Sequence, residues 1–456
     1  MVVRISVSPA NKAFFAGCLC CMANGFFYSF SIFSSEIKSI IQVSSSEVVI
    51  LGVLSQAGMG LLQLPTTLAL GHLQSHSRIW KDTKLDTLMN VFGTALFCIA
   101  MLGIGAVLYV AKEVSTPQQV LQNKSLNLGL LGLFFTLWGQ AVGASYNTAS
   151  SIVNYNHQDN VSVRRKRIAS LAMLVGFGGV GMVILYYFGL AQYPLYATFF
   201  GLAVWFLVIV GSVRWFWMQR VMESSLATTP EPAVFLEEQV LIKATPRQPI
   251  CALFTNAIPL LTFLNVFCGL GTSASMLSSM NLIARSLVVE DDKVGELTFA
   301  LLITFLVAQV FSRLCNAVTY AYTEWPYVSA VWQTSCLLGL GLFLMTPTEP
   351  GAFASAWFVG SSFGGFHSGF PVLAATCFPG NQKVDYPQSL GVCMLIASLG
   401  VICIGQLATV VFGTANGNIY PVFIFYASVQ AVSALAAFVL GCKIRRCQQQ
   451  QRVANS

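Results

Sequence analysis

One charged residue lies deep inside an apolar stretch of this sequence: Arg313, within the run from 297 to 322. Placing a guanidinium at the centre of a bilayer costs about 2.5–3.5 kcal/mol, so a charge in this position usually serves a function. Gln309, Asn316 and Tyr320 follow helical spacing around it and share its helix face. These four residues are referred to below as the polar stripe. A stripe of this kind is typical of the wall of a water-filled cavity, where a guanidinium binds an anionic group such as a carboxylate.

Arg313 also has a structural interpretation. It lies in the half of its apolar run that is nearer one membrane surface, so its side chain can extend to the lipid headgroups. Alternatively, its side chain can hydrogen-bond to a helix of the N-terminal half of the chain and fix the position of its own helix. If Arg313 only extends to the headgroups, lysine would serve nearly as well as arginine.

His367 is the only histidine inside an apolar run. Because an imidazole titrates near neutral pH, a histidine within the membrane can relay protons. The alternative is a neutral histidine that is hydrogen-bonded between packed helices. Gly364, Gly365 and Gly369 lie close to it in the sequence and would allow a neighbouring backbone to approach in either case.

Further polar residues lie within other apolar runs, and in each run they share one helix face. Each of them taken alone is more simply explained as a hydrogen-bonding residue between helices. Taken together, they are candidates for lining the path of a solute. The candidates are Asn24, Tyr28, Gln140, Asn147 and Asn265.

The sequence lacks the residue groups that enzymes and ATP-driven pumps need. No Asp or Glu lies inside an apolar run, and no Ser/His pair or carboxylate pair occurs there. No glycine-rich phosphate loop ending in Lys-Ser or Lys-Thr is present. His72 and His76 lie four residues apart, but no third ligand accompanies them. We therefore expect no enzyme activity, no cofactor and no metal site.

The composition indicates which elements must position these residues. Of 456 residues, 9% are charged and 55% are hydrophobic, and the mean hydropathy is +0.70. A soluble protein carries roughly 25% charged residues, and a chain as apolar as this one cannot hide its surface from water. The composition predicts an all-α integral membrane protein with several spans. The alternating pattern of a membrane barrel is absent from the sequence.

Twelve apolar runs are long enough to cross a bilayer, since a spanning helix needs about 20 mostly apolar residues. They are numbered here as predicted spans 1 to 12. Their ranges are 12–33, 48–70, 87–111, 126–152, 168–189, 193–217, 257–283, 297–322, 327–346, 352–378, 389–412 and 419–442.

Basic residues set the orientation of these spans. With the N-terminus inside, the inner segments hold 18 lysines and arginines and the outer segments hold 5, so both termini are predicted in the cytoplasm. The net charge of +7 is explained by this asymmetry and by anionic headgroups. Nucleic acid is a poor partner, because the basic residues are scattered over short segments.

The spans divide into two groups of six. Residues 1–217 are predicted to form an N-terminal six-helix bundle, and residues 257–442 a C-terminal one. The proline-containing stretch 218–256 is predicted to be a cytoplasmic linker, and 443–456 a basic cytoplasmic tail. This layout resembles the plan of the major facilitator superfamily. In that plan spans 1, 4, 7 and 10 line the cavity, and here these spans carry His367 and the five candidates above.

Several short motifs resemble the nodulin-like branch of that superfamily. They are Asn24–Ser31 with Glu36-Ile37-Lys38, Ser45–Gly52 with Leu64-Pro65, Asn147-Thr148-Ala149 with Arg164–Arg167, and Cys268–Thr272 with Ser312-Arg313-Leu314. The resemblance implies the major facilitator fold, with twelve transmembrane helices in two bundles, and a transport function.

Span 8 is also distantly similar to that of the monocarboxylate carriers. In those carriers an Asp one turn before the Arg takes part in proton-coupled carboxylate binding. Gln309 stands at that position here, so the resemblance does not imply proton coupling through this residue. The turn between spans 2 and 3 also departs from the superfamily pattern, because Ser75 stands where an Asp is usual.

The sequence thus predicts a secondary transporter or facilitator that moves a small polar solute, which can be anionic, across a membrane by alternating access. The alternative is a transporter-like membrane sensor or scaffold without transport activity. The expected partners are a small-molecule solute and the lipid bilayer, with no requirement for an oligomer. Amino acids, monocarboxylates, sugars and metal complexes all remain open as solutes.

The predicted linker contains Glu237, Leu241 and Ile242 in the acidic-x-x-x-Leu-Ile spacing of a dileucine sorting signal. This spacing resembles signals that target endolysosomal membranes. The alternative is an amphipathic surface helix over 233–244. The plasma membrane and an endolysosomal membrane are therefore both open as locations.

Overall fold

The computed structural model describes residues 9–76, 85–156, 161–207, 257–288, 290–319, 325–376 and 386–455. Within these ranges the chain forms helices that are joined by short turns. The predicted linker 218–256 lies outside them.

The described part of the N-terminal half contains nine α-helices. They are α1 (Pro9–Ala23), α2 (Phe30–Ile41), α3 (Ser45–Leu61), α4 (Gln63–His76), α5 (Leu85–Tyr109), α6 (Pro117–Gln122), α7 (Lys124–Asn156), α8 (Val161–Leu185) and α9 (Leu195–Trp205). A 3₁₀ turn, Asn24–Ser29, joins α1 to α2. Single π-helical turns, Val110–Val114 and Tyr186–Leu190, extend α5 and α8.

The described part of the C-terminal half, from residue 257 onward, contains seven α-helices. They are α10 (Ala257–Ser278), α11 (Met280–Leu287), α12 (Asp291–Thr319), α13 (Trp325–Met345), α14 (Glu349–Thr376), α15 (Tyr386–Thr414) and α16 (Tyr420–Asn455).

Every predicted span overlaps with helix in the structure. Span 1 is divided into α1 and α2 by the 3₁₀ turn, and span 2 is divided into α3 and α4 at Leu62. Among the described residues, nine helices are long and apolar enough to cross a membrane, and α1 and α9 contribute shorter apolar segments. The all-α, multi-pass membrane class is confirmed. The number of twelve spans and their orientation stay predictions.

The break in span 1 follows from a close helix crossing. Gly25, in the 3₁₀ turn, lies against Gly178 and Gly179 of α8, and a Cβ on Gly25 would overlap the α8 backbone. Small residues of this kind allow two backbones to approach within a membrane. The same turn places Tyr28 at the boundary between the two halves.

The halves meet chiefly along two helix pairs, α8 with α12 and α3 with α15. In the second pair, Gly60 of α3 lies directly on the backbone carbonyl of Met394 in α15. A Cβ at this position would overlap the carbonyl, so the glycine permits the contact. The boundary between the halves is therefore packed helix against helix.

On the predicted outer side, Glu36 at the end of span 1 holds the N-terminal half together. Its carboxylate accepts hydrogen bonds from the Tyr186 hydroxyl at 3.0 Å and from the backbone N–H of Leu195 at 3.3 Å. The Lys112 ammonium lies 3.8 Å from the same carboxylate. These contacts join span 1 to the outer ends of spans 3, 5 and 6.

Candidate functional site

Arg313 of α12 lies at the boundary between the two halves, with 0% of its surface exposed. Its guanidinium donates one hydrogen bond from Nη1 to the backbone carbonyl of Ala172 in α8. A second, from Nη2, goes to the hydroxyl of Tyr28 at 3.4 Å. The side chain thus crosses to the N-terminal half and does not extend to the headgroups. Its contacts are two neutral oxygens, so its charge is not balanced by a carboxylate there.

Tyr28 links Arg313 to His367 of α14. Its hydroxyl lies 3.3 Å from the imidazole Nε2 of His367 as well as 3.4 Å from the guanidinium. The guanidinium carbon also lies over the Tyr28 ring, 5.5 Å from its centroid, in cation–π geometry. One residue of the N-terminal half therefore contacts two helices of the C-terminal half. Arg313, Tyr28 and His367 are referred to below as the boundary cluster.

Aromatic rings enclose the boundary cluster. The His367 ring lies 5.6 Å from the ring of Tyr146 in α7 and 5.7 Å from that of Phe363, one turn earlier in α14. The Tyr28 ring meets Phe363 edge to face at 5.6 Å. Because His367 is 2% exposed, its imidazole is held in a site that bulk water does not reach.

Gln309 supplies unsatisfied hydrogen-bonding groups beside this cluster. It lies one turn before Arg313 in α12, is fully buried and is close to the Tyr28 hydroxyl. Neither its amide nitrogen nor its amide oxygen has hydrogen-bond geometry with a described residue, and the same holds for Nε of Arg313. Buried polar atoms are normally hydrogen-bonded. Two donor nitrogens and one acceptor oxygen in one place, with only the Tyr28 hydroxyl close to Gln309 among the groups described above, are suited to a polar ligand.

A small cavity adjoins the cluster between the two halves. Its volume is about 10 Å³, which is room for about one water molecule. Its polar lining residues are Gln56, Tyr146, His367 and Ser398, and its apolar lining residues are Met59, Leu270, Phe363, Met394, Ala397 and Val401. At this place the described helices of the two halves therefore leave space for little more than a water molecule.

Sequence reasoning missed three of the polar residues in this lining, Gln56, Tyr146 and Ser398. Gln56 belongs to span 2 and Ser398 to span 11, and neither span was expected to line the cavity. Tyr146 lies in span 4, next to the candidate Asn147. In the sequence, these three residues are marked only as uncharged polar residues in the middle of an apolar run. Such residues are too common in membrane helices to identify a cavity residue.

The two halves also contact each other on both sides of the cavity. Toward the predicted outer surface, the Ser31 hydroxyl donates to the backbone carbonyl of Leu277 at 2.8 Å. On that side the rings of Tyr187 and Phe299 stack at 4.2 Å. Toward the predicted inner surface, α3 and α15 meet at the contact of Gly60 with Met394.

Asn316, which belongs to the polar stripe, does not join the boundary cluster. Its amide nitrogen donates to the Gly365 carbonyl at 2.5 Å and to the Ser368 hydroxyl at 2.6 Å. Its amide oxygen accepts from the Trp332 indole at 2.8 Å. All three partners belong to α13 and α14, so Asn316 connects helices inside the C-terminal half. Tyr320, the last residue of the polar stripe, lies outside the described residues.

Asn265 belongs to a second buried network, inside the C-terminal half. Its amide nitrogen donates to the Ser329 hydroxyl at 3.0 Å, and its amide oxygen accepts from Gln333 at 3.2 Å and from Ser433 at 2.9 Å. Gln430 extends the network by donating to the Gln333 amide oxygen. The network joins α10, α13 and α16, which is a helix-packing arrangement.

The remaining candidates make their described hydrogen bonds inside the N-terminal half. The Gln140 amide nitrogen donates to the Thr66 hydroxyl at 3.1 Å. The Asn147 amide oxygen accepts from the Ser151 hydroxyl at 3.2 Å. Asn24 is buried in the 3₁₀ turn. Of the residues predicted from the sequence, the structure brings Arg313, Gln309, Tyr28 and His367 together.

No group of three His, Cys, Asp or Glu side chains that could hold a metal ion occurs among the described residues. The proposed sorting residues Glu237, Leu241 and Ile242 lie outside the described ranges.

No protein-family model matches the sequence, and no curated protein matches it. The fold matches solved structures. A D-xylose-proton symporter has a TM-score of 0.63 and 14% identity, over 95% of this chain and 97% of that chain. FucP, a major facilitator superfamily transporter in the outward conformation, has a TM-score of 0.59 and 12% identity, over 94% of this chain and 99% of that chain. A bacterial homologue of the iron transporter ferroportin, in an outward-facing state, has a TM-score of 0.60 and 12% identity, over 95% of this chain and 100% of that chain. This chain has the major facilitator fold.

The major facilitator fold consists of two related bundles. In transporters built from two related bundles, the substrate site lies near the midplane at the interface of the repeats. Arg313, Tyr28 and His367 lie where the two halves of this chain meet. All three similar structures are of transport proteins.

Proposed function

We propose that this chain is a secondary transporter or facilitator that moves a small, polar, anionic solute across a membrane by alternating access. The observation that supports it is the position of Arg313. Its guanidinium is a buried cation of the C-terminal half whose hydrogen bonds go to the N-terminal half. A ligand that binds this cation therefore also changes the contact between the halves.

An anionic group fits the donors at this site. No Asp or Glu lies within any predicted span, so no side chain there competes for the guanidinium. Hydrogen bonds between ionised partners are about twice as strong as those between neutral groups. A carboxylate would thus displace the neutral oxygens of Ala172 and Tyr28. Nε of Arg313 and the amide nitrogen of Gln309 supply two further donors.

Release of those oxygens gives a physical route to alternating access. In the solute-free chain, the bonds of Arg313 to Ala172 and Tyr28 hold the two halves together. When a solute takes these bonds, the connection between the halves passes through the solute. The halves can then rock around it toward the opposite side, which is the motion expected of two-bundle carriers.

The finer assignment rests on sequence motifs. We place the chain in the nodulin-like branch of the superfamily, with distant similarity to the monocarboxylate carriers. We further propose that it requires no oligomer and has both termini in the cytoplasm, in the plasma membrane or an endolysosomal membrane. Its predicted organisation is two six-helix bundles, 1–217 and 257–442, joined by the linker 218–256 and followed by the tail 443–456.

Uptake into proteoliposomes tests the proposal. The purified protein is reconstituted and offered a labelled panel of small carboxylates, amino acids, sugars and metal complexes. We expect uptake of a small anion above protein-free liposomes, and no uptake by Arg313→Ala. Arg285→Ala is the matched control, because it removes the same side chain outside the cluster. Absence of uptake across the panel would favour the sensor or scaffold alternative, and wild-type uptake by Arg313→Ala would remove Arg313 from the site.

A further inference from the structure

A second and much larger cavity lies inside the N-terminal half, between α1, α8 and α9. Its volume is about 760 Å³, within the range of roughly 300–1,000 Å³ that is usual for cavities that hold a small organic molecule. None of its lining residues belongs to the boundary cluster. Apolar side chains at its edge, such as Phe177 and Trp205, are exposed. Because these helices belong to predicted spans, the cavity opens toward the hydrocarbon tails of the bilayer.

Glycines leave this space between the helices. A Cβ at Gly181 of α8 or at Gly201 of α9 would meet no atom within 4 Å, although both glycines line the cavity. At Gly178, in contrast, a Cβ would overlap the Met22 carbonyl, so α8 is packed closely on α1 there. The two helices thus touch at Gly178, and no side chain fills the space in front of the other two glycines. A helix face without side chains is flat, and it suits a flat ligand.

One polar atom in the cavity lacks a partner. Thr198 of α9 lines the cavity and is 6% exposed, and its hydroxyl has no hydrogen-bond partner among the described residues. Threonines of other spans, such as Thr136 and Thr272, donate instead to the carbonyl four residues earlier. A buried hydroxyl without a partner costs free energy, and the hydrocarbon tails of lipids offer none. The hydroxyl of Thr198 is therefore matched by a ligand that carries a hydrogen-bonding group of its own.

The rest of the lining defines the chemistry of that ligand. None of the described lining residues is charged, so a phosphate or carboxylate headgroup would find no counter-charge. The lining residues lie within 177–185 of α8 and 197–205 of α9, and each range rises by about 12 Å along its helix. The hydrocarbon core is about 30 Å thick, so the cavity extends through most of one leaflet. Tyr193, in the turn before α9, places it in the predicted outer leaflet.

We propose that this cavity binds a membrane sterol, which is a flat, rigid and apolar ring system with a single hydroxyl. The sterol hydroxyl bonds to that of Thr198, one turn from the outer end of α9. The rings lie on the bare faces of Gly181 and Gly201. A rigid molecule loses less conformational entropy on binding than a flexible acyl chain does, so a sterol is favoured over a phospholipid tail. This inference goes beyond the proposed function and does not depend on it.

Photolabelling tests the proposal. The full-length protein is reconstituted in phosphatidylcholine vesicles that contain cholesterol with a diazirine on its ring system. Irradiation should attach the probe to the parts of α8 and α9 that line the cavity, and added cholesterol should reduce this labelling. Even labelling of all spans, without competition, would overturn the proposal. A phosphatidylcholine with a diazirine in its acyl chain is the second probe. If it labels the cavity and cholesterol does not displace it, the occupant is an acyl chain and the proposal is wrong.

Filling the cavity should remove the specific labelling. Gly201→Leu fills it from α9 and Gly181→Leu from α8, and either one is sufficient if the other yields little folded protein. Gly341→Leu in α13 is the matched control, because a Cβ there also meets nothing within 4 Å and Gly341 lies outside the cavity. Labelling at the wild-type level in a folded Gly201→Leu or Gly181→Leu protein would overturn the proposal.

Thr198→Val keeps the shape of the side chain and removes its hydroxyl. Cholesterol should compete about 2- to 12-fold more weakly in this variant, as expected for the loss of one hydrogen bond. Cholestane, which has the same rings without the hydroxyl, should compete equally in the variant and in wild type. An equal loss for both competitors, or no loss for cholesterol, would contradict the assignment. Because the readout is labelling and not uptake, a failure of the proposed transport function would leave this test intact.

Discussion

The guanidinium of Arg313 bonds to the backbone carbonyl of Ala172, which ties α12 to α8 across the two halves. Gly176, one turn further along α8, leaves space for this contact. A Cβ at Gly176 would lie 3.7 Å from Nη1 of Arg313 and 2.8 Å from the Val310 side chain. The partner of the cation is thus a main-chain oxygen, which no substitution of Ala172 can remove.

Substitutions of Arg313 distinguish between two roles of this residue, binding an anion and holding the two halves together. Arg313→Lys should retain part of the uptake, with roughly a tenfold to hundredfold loss, because a point charge replaces a planar group with several donors. Arg313→Ala should abolish uptake while folded protein is still recovered. The measurement is the initial uptake rate per amount of monodisperse protein. Equal rates for Lys and Arg would return Arg313 to a purely structural role.

Asn265 is predicted to stabilise the C-terminal half without contacting the solute. Asn265→Ala removes the acceptor of the Gln333 amide nitrogen and the donor to the Ser329 hydroxyl, so the free energy of unfolding should fall by about 1–2 kcal/mol. A lower Tm of the purified protein checks this. The uptake rate per folded molecule should stay close to that of wild type. An unchanged Tm with lost uptake would instead place Asn265 on the solute path.

Gly60 is predicted to be needed for closure of the predicted inner side. Gly60→Ala puts a methyl group on the Met394 carbonyl, so α3 and α15 have to separate there. The closed state should become rarer, and the inner ends of these helices should exchange amide hydrogens faster. Gly341→Ala is the matched control, because a Cβ at Gly341 meets nothing within 4 Å. Equal exchange rates in the two variants would contradict the role of Gly60.

Both termini are predicted to lie in the cytoplasm. Epitope tags at either end should be reached by antibody only after the cells are permeabilised, because 18 basic residues lie in the inner segments and 5 in the outer ones. Labelling of one end in intact cells would exclude the arrangement of twelve spans with both ends inside.

The sorting signal gives a prediction about location. Replacing Leu241 and Ile242 together with Ala should move an intracellular pool of the protein to the cell surface, because the proposed signal needs both side chains. Surface biotinylation measures the shift. Replacing Val240 with Ala is a nearby control that leaves the pair intact. An unchanged distribution would favour the amphipathic-helix interpretation of 233–244.

The class and the fold could be predicted from the sequence because a long apolar run indicates a helix that crosses the membrane. The break in span 1 could not. Its cause is the contact of Gly25 with Gly178, two residues that are far apart in the sequence. An apolar run of uniform hydropathy contains no signal for such a crossing.

The candidate site could be predicted only in part. Helical spacing correctly placed Gln309, Arg313 and Asn316 on one face, since 100° per residue keeps them within about 60° of each other. Spacing does not tell what covers that face. The face packs on α14, where Asn316 meets Gly365, and only the longer side chain of Arg313 reaches α8. Asn265 resembles a cavity residue for the same reason, although helices of its own half cover it.

The cavity beside the boundary cluster has room for about one water molecule. Protons and small ions need a continuous file of water to cross a membrane protein, and a cavity of this size between Tyr146, Phe363 and His367 is too small to hold one. At this point among the described residues, an ion could therefore pass only after the two halves had moved apart.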